Sequence, residues 1–204
     1  MFNLKTSIAV AALALAGAAH AAGPNLVADG TFAGSPGVYT TIDGGGSIGA
    51  WTVGGASVDW IGSYWAAPVG NSIDLDGDAP GAISQSLDGL AAGQYTVTFS
   101  LAGNPDGGVT EKSVDVSLGG APAQLVTFDT ATRGPGMGWV TETLTFNVAA
   151  GDQTLSFVSA DKSGPYGAAL ADISVTAVPE PASIGLLLAG IGMIGVMSSR
   201  RRAR

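Results

Sequence analysis

The sequence contains no cysteine, and its single histidine, His20, lies within the first two dozen residues. Disulfide staples and thiolate metal sites are therefore excluded throughout the chain. Basic residues are scarce, eight against sixteen acidic ones, and most of them sit at the two ends. Between Ala22 and Val178 only Lys112, Arg133 and Lys162 face fifteen Asp and Glu, a formal charge of minus twelve. Such a field repels phosphate backbones and anionic headgroups, which argues against nucleic acid as a partner. An acidic surface also serves solubility alone. Amphipathic helical stripes are missing too, so a helical bundle is not expected.

What is present begins with two tails. Lys5 is followed by an apolar run from Ile8 to Ala18 and then by Ala19-His20-Ala21. A positive start, a short apolar core and an A-x-A site predict a secretory signal peptide over residues 1–21. Cleavage there would leave an exported chain without histidine. At the other end, Pro179-Glu180-Pro181 precedes eighteen uncharged residues, Ala182 to Ser199, and then Arg200-Arg201-Arg202. At about 1.5 Å per residue a helix over 182–199 would measure about 27 Å, close to one hydrocarbon core. The arginines would remain cytoplasmic as a stop, and the body would lie outside.

The body, residues 22–178, is long enough for one domain with a real core. Gly, Pro, Asn and Asp punctuate it at short intervals. Between them apolar positions alternate: Tyr95, Val97, Phe99 and Leu101; Val114, Val116 and Leu118; Leu144, Phe146 and Val148. Period two with aromatic and β-branched enrichment predicts half-buried strands. Further strands are expected near Ser47–Val53, Ser57–Ile61, Ser72–Leu75, Ala82–Leu87, Leu125–Phe128, Leu155–Val158 and Ile173–Ala177. The expected fold is all-β, a jelly-roll sandwich.

Two clusters carry candidate chemistry. Trp51, Trp60, Tyr64 and Trp65 fall within fifteen residues of one another. Aromatic faces stack on sugar rings, and carboxylates or amides bind the hydroxyls. Alternation sends Val58, Trp60 and Trp51 to the core, leaving Tyr64 and Trp65 in a loop as the surface candidates, with Asp59 beside them. The second cluster is Asp74-Leu75-Asp76-Gly77-Asp78. Alternating carboxylates on such a turn can converge on Ca²⁺, or they can simply satisfy a solvated turn. Gln85 stands where an EF-hand needs its Glu, so that motif is excluded.

Without histidine or cysteine the exported chain cannot build a Ser-His-Asp or Cys-His nucleophile or a His-ligated zinc. Carboxylate pairs such as Asp59 and Asp74 would still suit glycoside hydrolysis, yet no spacing singles them out, and a non-enzyme is expected.

Both halves carry resemblances. The order Pro-Glu-Pro, apolar helix, basic end resembles the PEP-CTERM sorting signal. That implies an exosortase as partner in a Gram-negative bacterium, with a membrane-anchored precursor that moves to the cell surface or extracellular matrix. A plain single-pass anchor is the alternative. The body resembles the choice-of-anchor C family, related to a plant cell-wall domain. The resemblance rests on Asn25-Leu26-Val27, Gly30-Thr31-Phe32, Trp51, the string from Asp59 to Gln85, and Ala102-Gly103-Asn104-Pro105. It implies a galactose-binding-like jelly roll of the kind used for carbohydrate recognition. Extracellular polysaccharide is then the expected ligand. A structural matrix or envelope component without sugar affinity is the alternative.

Overall fold

A computed structural model describes residues 23–132, 136–162 and 164–179. The expected signal peptide over 1–21, the apolar 182–199 stretch, Glu180, Pro181 and the terminal arginines lie outside these residues. Among the described residues no helix is long and apolar enough to cross a membrane.

Among the described residues twelve strands follow in order: β1 (Tyr39–Asp43), β2 (Ser47–Ile48), β3 (Trp51–Gly55), β4 (Ser57–Ile61), β5 (Ser72–Asp74) and β6 (Gly81–Leu90). Then come β7 (Gly93–Gly103), β8 (Glu111–Leu118), β9 (Gln124–Asp129), β10 (Val140–Val148), β11 (Gly151–Ser159) and β12 (Ala168–Ala177). They form two six-stranded sheets, β1-β4-β5-β12-β7-β10 and β2-β3-β6-β11-β8-β9. Every pairing is antiparallel. The jelly-roll-type sandwich expected from the alternation is what forms.

Alternation explains the core. Tyr95, Val97, Phe99 and Leu101 of β7 are buried, as are Val114, Val116 and Leu118 of β8. Phe32, Trp51, Phe157 and Phe99 form a chain of tilted and edge-on ring contacts between the sheets, with centroids 5.2–6.3 Å apart. Each such side chain removed from water contributes about 1.5–3 kcal/mol. Trp51 is fully buried and its Nε1 donates to the Asp29 carbonyl at 3.0 Å, so its polar end is satisfied as well. Trp60 is partly buried against the same core and donates to the Phe32 carbonyl.

Some expectations needed correction. The single strand expected over Ser47–Val53 is a hairpin, because Gly49 (φ +55°) turns the chain between β2 and β3. The last strand starts at Ala168 rather than Ile173. Ala168 to Ala171 are buried on both faces, so alternation gives no signal there. β1 was not expected, since its side chains are nearly all exposed on a sheet edge.

The register gives the sandwich two distinct ends. Gly103 pairs with Ala168 at one end, and Tyr95 pairs with Ala177 near the other. The chain enters beside β12, where Leu26 N donates to the Val175 carbonyl, and it leaves with Val178 N on the Gln94 carbonyl. Both tails therefore emerge at the end away from Gly103 and Ala168.

Candidate functional site

Cross-strand partners share a face of the sheet. Thr41 is partnered with Asp59, Asp59 with Asp74, Asp74 with Ala169, and Ala169 with Ala102. This row lies on the face of the first sheet opposite the Phe99 core. Three loops cover it, around residues 62–71, 104–110 and 164–167. Between them is a cleft of about 230 Å³ lined by Tyr39, Thr41, Asp59, Ile61, Tyr64, Trp65, Gly77, Asp78, Asn104, Asp106, Pro165 and Tyr166.

Tyr39, Tyr64 and Tyr166 are exposed by 50%, 49% and 38%. Tyr64 sits edge-on to both Tyr39 and Trp65, at centroid distances of 5.7 and 5.5 Å. Trp65 turns its Nε1 onto Ser72 Oγ at 2.8 Å and packs partly on the core, so it braces the wall more than it presents a face. The Tyr64 hydroxyl donates to Asp106 Oδ2 at 2.7 Å. That bond and the Asp106 charge raise the Tyr64 pKa. Asp59 accepts the Thr41 hydroxyl; burial pushes its carboxyl up, and the nearby charge of Asp78 adds to the rise. Asp78 is exposed, with its amide held by Ser57 Oγ at 2.8 Å.

Behind the cleft lies a buried polar cluster. Asp74 is fully buried and saturated: its Oδ1 accepts the amides of Asp76 and Gly167, and its Oδ2 accepts Asn104 Nδ2 at 2.6 Å. Burial pushes its carboxyl up to about 7. Asp76 is also fully buried, and neither of its oxygens finds a hydrogen-bond donor. Its carboxyl is pushed up to about 6, again by burial. Lys112, at an inward position of β8, is fully buried. Its ammonium donates to the carbonyls of Gly107 and Tyr166, tying together the two loops that carry Asp106 and Tyr166. Burial lowers its pKa, and the charges of Asp161, Asp74 and Asp76 oppose that shift.

The structure thus brings Tyr64, Trp65 and Asp59 together, as the sequence proposed. It separates the acidic trio: Asp74 and Asp76 are inside, while Asp78 faces the cleft. Among the described residues no three acidic side chains are grouped to hold a metal ion. Nor is the trio a solvated turn, because two of its three carboxylates are buried. Tyr39, Thr41, Asp106 and Tyr166 were not singled out in sequence, and Asn104 entered only through the family resemblance. Asn104 and Asp106 flank Pro105, and the Asn-Pro pair is a loop signal that could have drawn attention to them. A larger hollow of about 630 Å³ at the opposite end, lined by residues 120–124 and 145–149, has Phe146 as its only ring, and that ring is buried.

Residues 25–176 match the family described as protein of unknown function (DUF642), and residues 177–202 match the PEP-CTERM protein-sorting motif. Halomucin of Haloquadratum walsbyi is 32% identical over a stretch covering 85% of this chain. The chain spans only 2% of that protein's length. Among solved structures, the chain is similar to a family 35 carbohydrate-binding module of Paenibacillus barcinonensis. The identity is 19%, the TM-score 0.46, and the coverage 68% of this chain and 99% of that one. A CBM36-1 domain of a multidomain xylanase from the hindgut metagenome of Trinervitermes trinervoides gives 19% identity, a TM-score of 0.46, and coverage of 70% and 98%.

Proposed function

This chain belongs to the DUF642 family, and from its cleft we infer that it is a non-catalytic carbohydrate-binding protein of the envelope or extracellular polysaccharide matrix. The sorting motif implies an exosortase-sorted surface protein that passes through the membrane of a Gram-negative bacterium. The signal peptide, the 182–199 anchor and the choice-of-anchor C subdivision belong to the same reading.

One observation carries it. Tyr39, Tyr64 and Tyr166 present exposed rings around a concave floor where Asp59, Asp78 and Asp106 offer hydrogen-bonding groups. Rings for sugar faces and acceptors for sugar hydroxyls are what a glycan site needs. Placement agrees with this. β12 runs ten residues away from the cleft, about 33 Å at about 3.3 Å per residue, before the sorting tail begins. A protein held by that tail points its cleft outward. Asp74, the cross-strand partner of Asp59, is sealed behind Asn104 and held by three donors, so the Asp59–Asp74 pair is not available as the two carboxylates of a hydrolase.

Affinity electrophoresis against matrix polysaccharides tests the proposal. Retardation is expected, and Tyr64→Ala with Tyr166→Ala should abolish it while circular dichroism stays unchanged. Unretarded migration in every polysaccharide would favour a purely structural matrix component instead.

A further inference from the structure

We propose that the glycan taken by this cleft carries free primary ammonium groups, a hexosamine polymer that is at least partly de-N-acetylated, and that uronic or sulfated chains are rejected. The inference rests on the carbohydrate reading and narrows its substrate class.

The charges make the case. Asp59, Asp78 and Asp106 all line one small cleft, and no lysine or arginine lines it with them. Lys112 does not reach into the cleft: its ammonium is buried, donates to two backbone carbonyls, and has Asp161, Asp74 and Asp76 as its charged neighbours. Asp59 is half-buried and feels the charge of Asp78, so the cleft holds like charges close together without a counter-charge. A neutral sugar would give these carboxylates hydroxyl donors but would leave that repulsion in place. An ammonium on the sugar ring gives three donors and the opposite charge at once. The walls fit the same ligand. Tyr64 stands edge-on between its aromatic neighbours, and the Tyr166 ring lies so close to Gly107 that a Cβ there would come 2.8 Å from its Cε2. Fixed tyrosine rings beside carboxylates can take a cation over their faces as well as a sugar ring. An anionic polymer would meet three carboxylates here and a domain of formal charge minus twelve around them.

Isothermal titration tests this with the full chain in mild detergent. The ligands are tetrasaccharides of β-linked glucosamine, N-acetylglucosamine, glucose and glucuronate, at neutral pH and low salt. The glucosamine oligomer should bind at least about tenfold tighter than the N-acetylated one, about 1.4 kcal/mol, and glucuronate should not bind. Asp59→Asn with Asp106→Asn should erase that preference, bringing the two hexosamine oligomers to the same affinity. Asp115→Asn with Glu142→Gln, which removes the same charge elsewhere, should leave the preference intact. Equal binding of the two hexosamine oligomers would overturn the ammonium assignment and leave the carbohydrate reading standing. So would equal loss in the distant double variant, since a diffuse field would then explain the preference. Binding of none of the four would sink both.

Discussion

Asn104 Nδ2 donates to Asp74 Oδ2 at 2.6 Å while its own Oδ1 accepts the amide of Asp106 at 2.9 Å. One buried amide thus joins the sealed carboxylate to the loop that carries a cleft wall. In Asn104→Ala both bonds go, Asp74 keeps an unpaired oxygen, and the 104–108 loop loses its anchor. The expected cost is about 1–3 kcal/mol in urea unfolding, with glycan affinity lost alongside. A stability loss with unchanged affinity would show that the loop is positioned by other contacts.

Burial raises the folded-state pKa of Asp74 to about 7 and of Asp76 to about 6, against 3.8 for a free carboxyl. The native state therefore binds these protons more tightly than the unfolded chain. Stability is fully present below the unfolded value and is lost as pH rises through 6 and 7, with no further loss above that. Tm should accordingly be higher in weak acid than above neutrality. Asp76→Asn should flatten the dependence, because the group that titrates is removed. Tm rising with pH across this window would contradict the assignment.

Gly30 is a test of the fold rather than of the cleft. Its carbonyl accepts Ile173 N at 2.9 Å, and a Cβ at position 30 would stand 1.9 Å from the Ile173 carbonyl oxygen. Backbone has nowhere to retreat there. Gly30→Ala should cost more than about 3 kcal/mol, read as a loss of soluble folded protein or a collapsed urea midpoint.

Chelation should do nothing to stability. With Asp74 and Asp76 buried and Asp78 facing the cleft, these three carboxylates share no coordination centre. EDTA is expected to leave Tm unchanged, and a drop of several degrees would restore the calcium reading.

The sandwich was legible because strands that build it alternate: β8 buries every second side chain, β7 does so from Tyr95 to Phe99, and β10 turns Leu144, Phe146 and Val148 inward between exposed neighbours. Alternation fails where one face is not core and the other not water. β1 is exposed almost throughout, and Ala168 to Ala171 are buried on both sides. The site was half legible for a similar reason. Tyr64, Trp65 and Asp59 are neighbours in sequence, so proximity alone linked them. Tyr39 joins them only through the β1–β4 pairing, and Asp106 and Tyr166 only through loop closure over the sheet. The turn from Asp74 to Asp78 was misread because nothing local says that residues 104 and 167 will come to cover Asp74.

Hydrogen–deuterium exchange of the full chain with and without a saturating oligosaccharide tests the central claim most directly. Protection is expected around residues 37–41, 62–66, 104–108 and 164–167, the segments that wall the cleft. Protection at residues 120–124 and 145–149 instead, or no protected segment under saturating ligand, would contradict it.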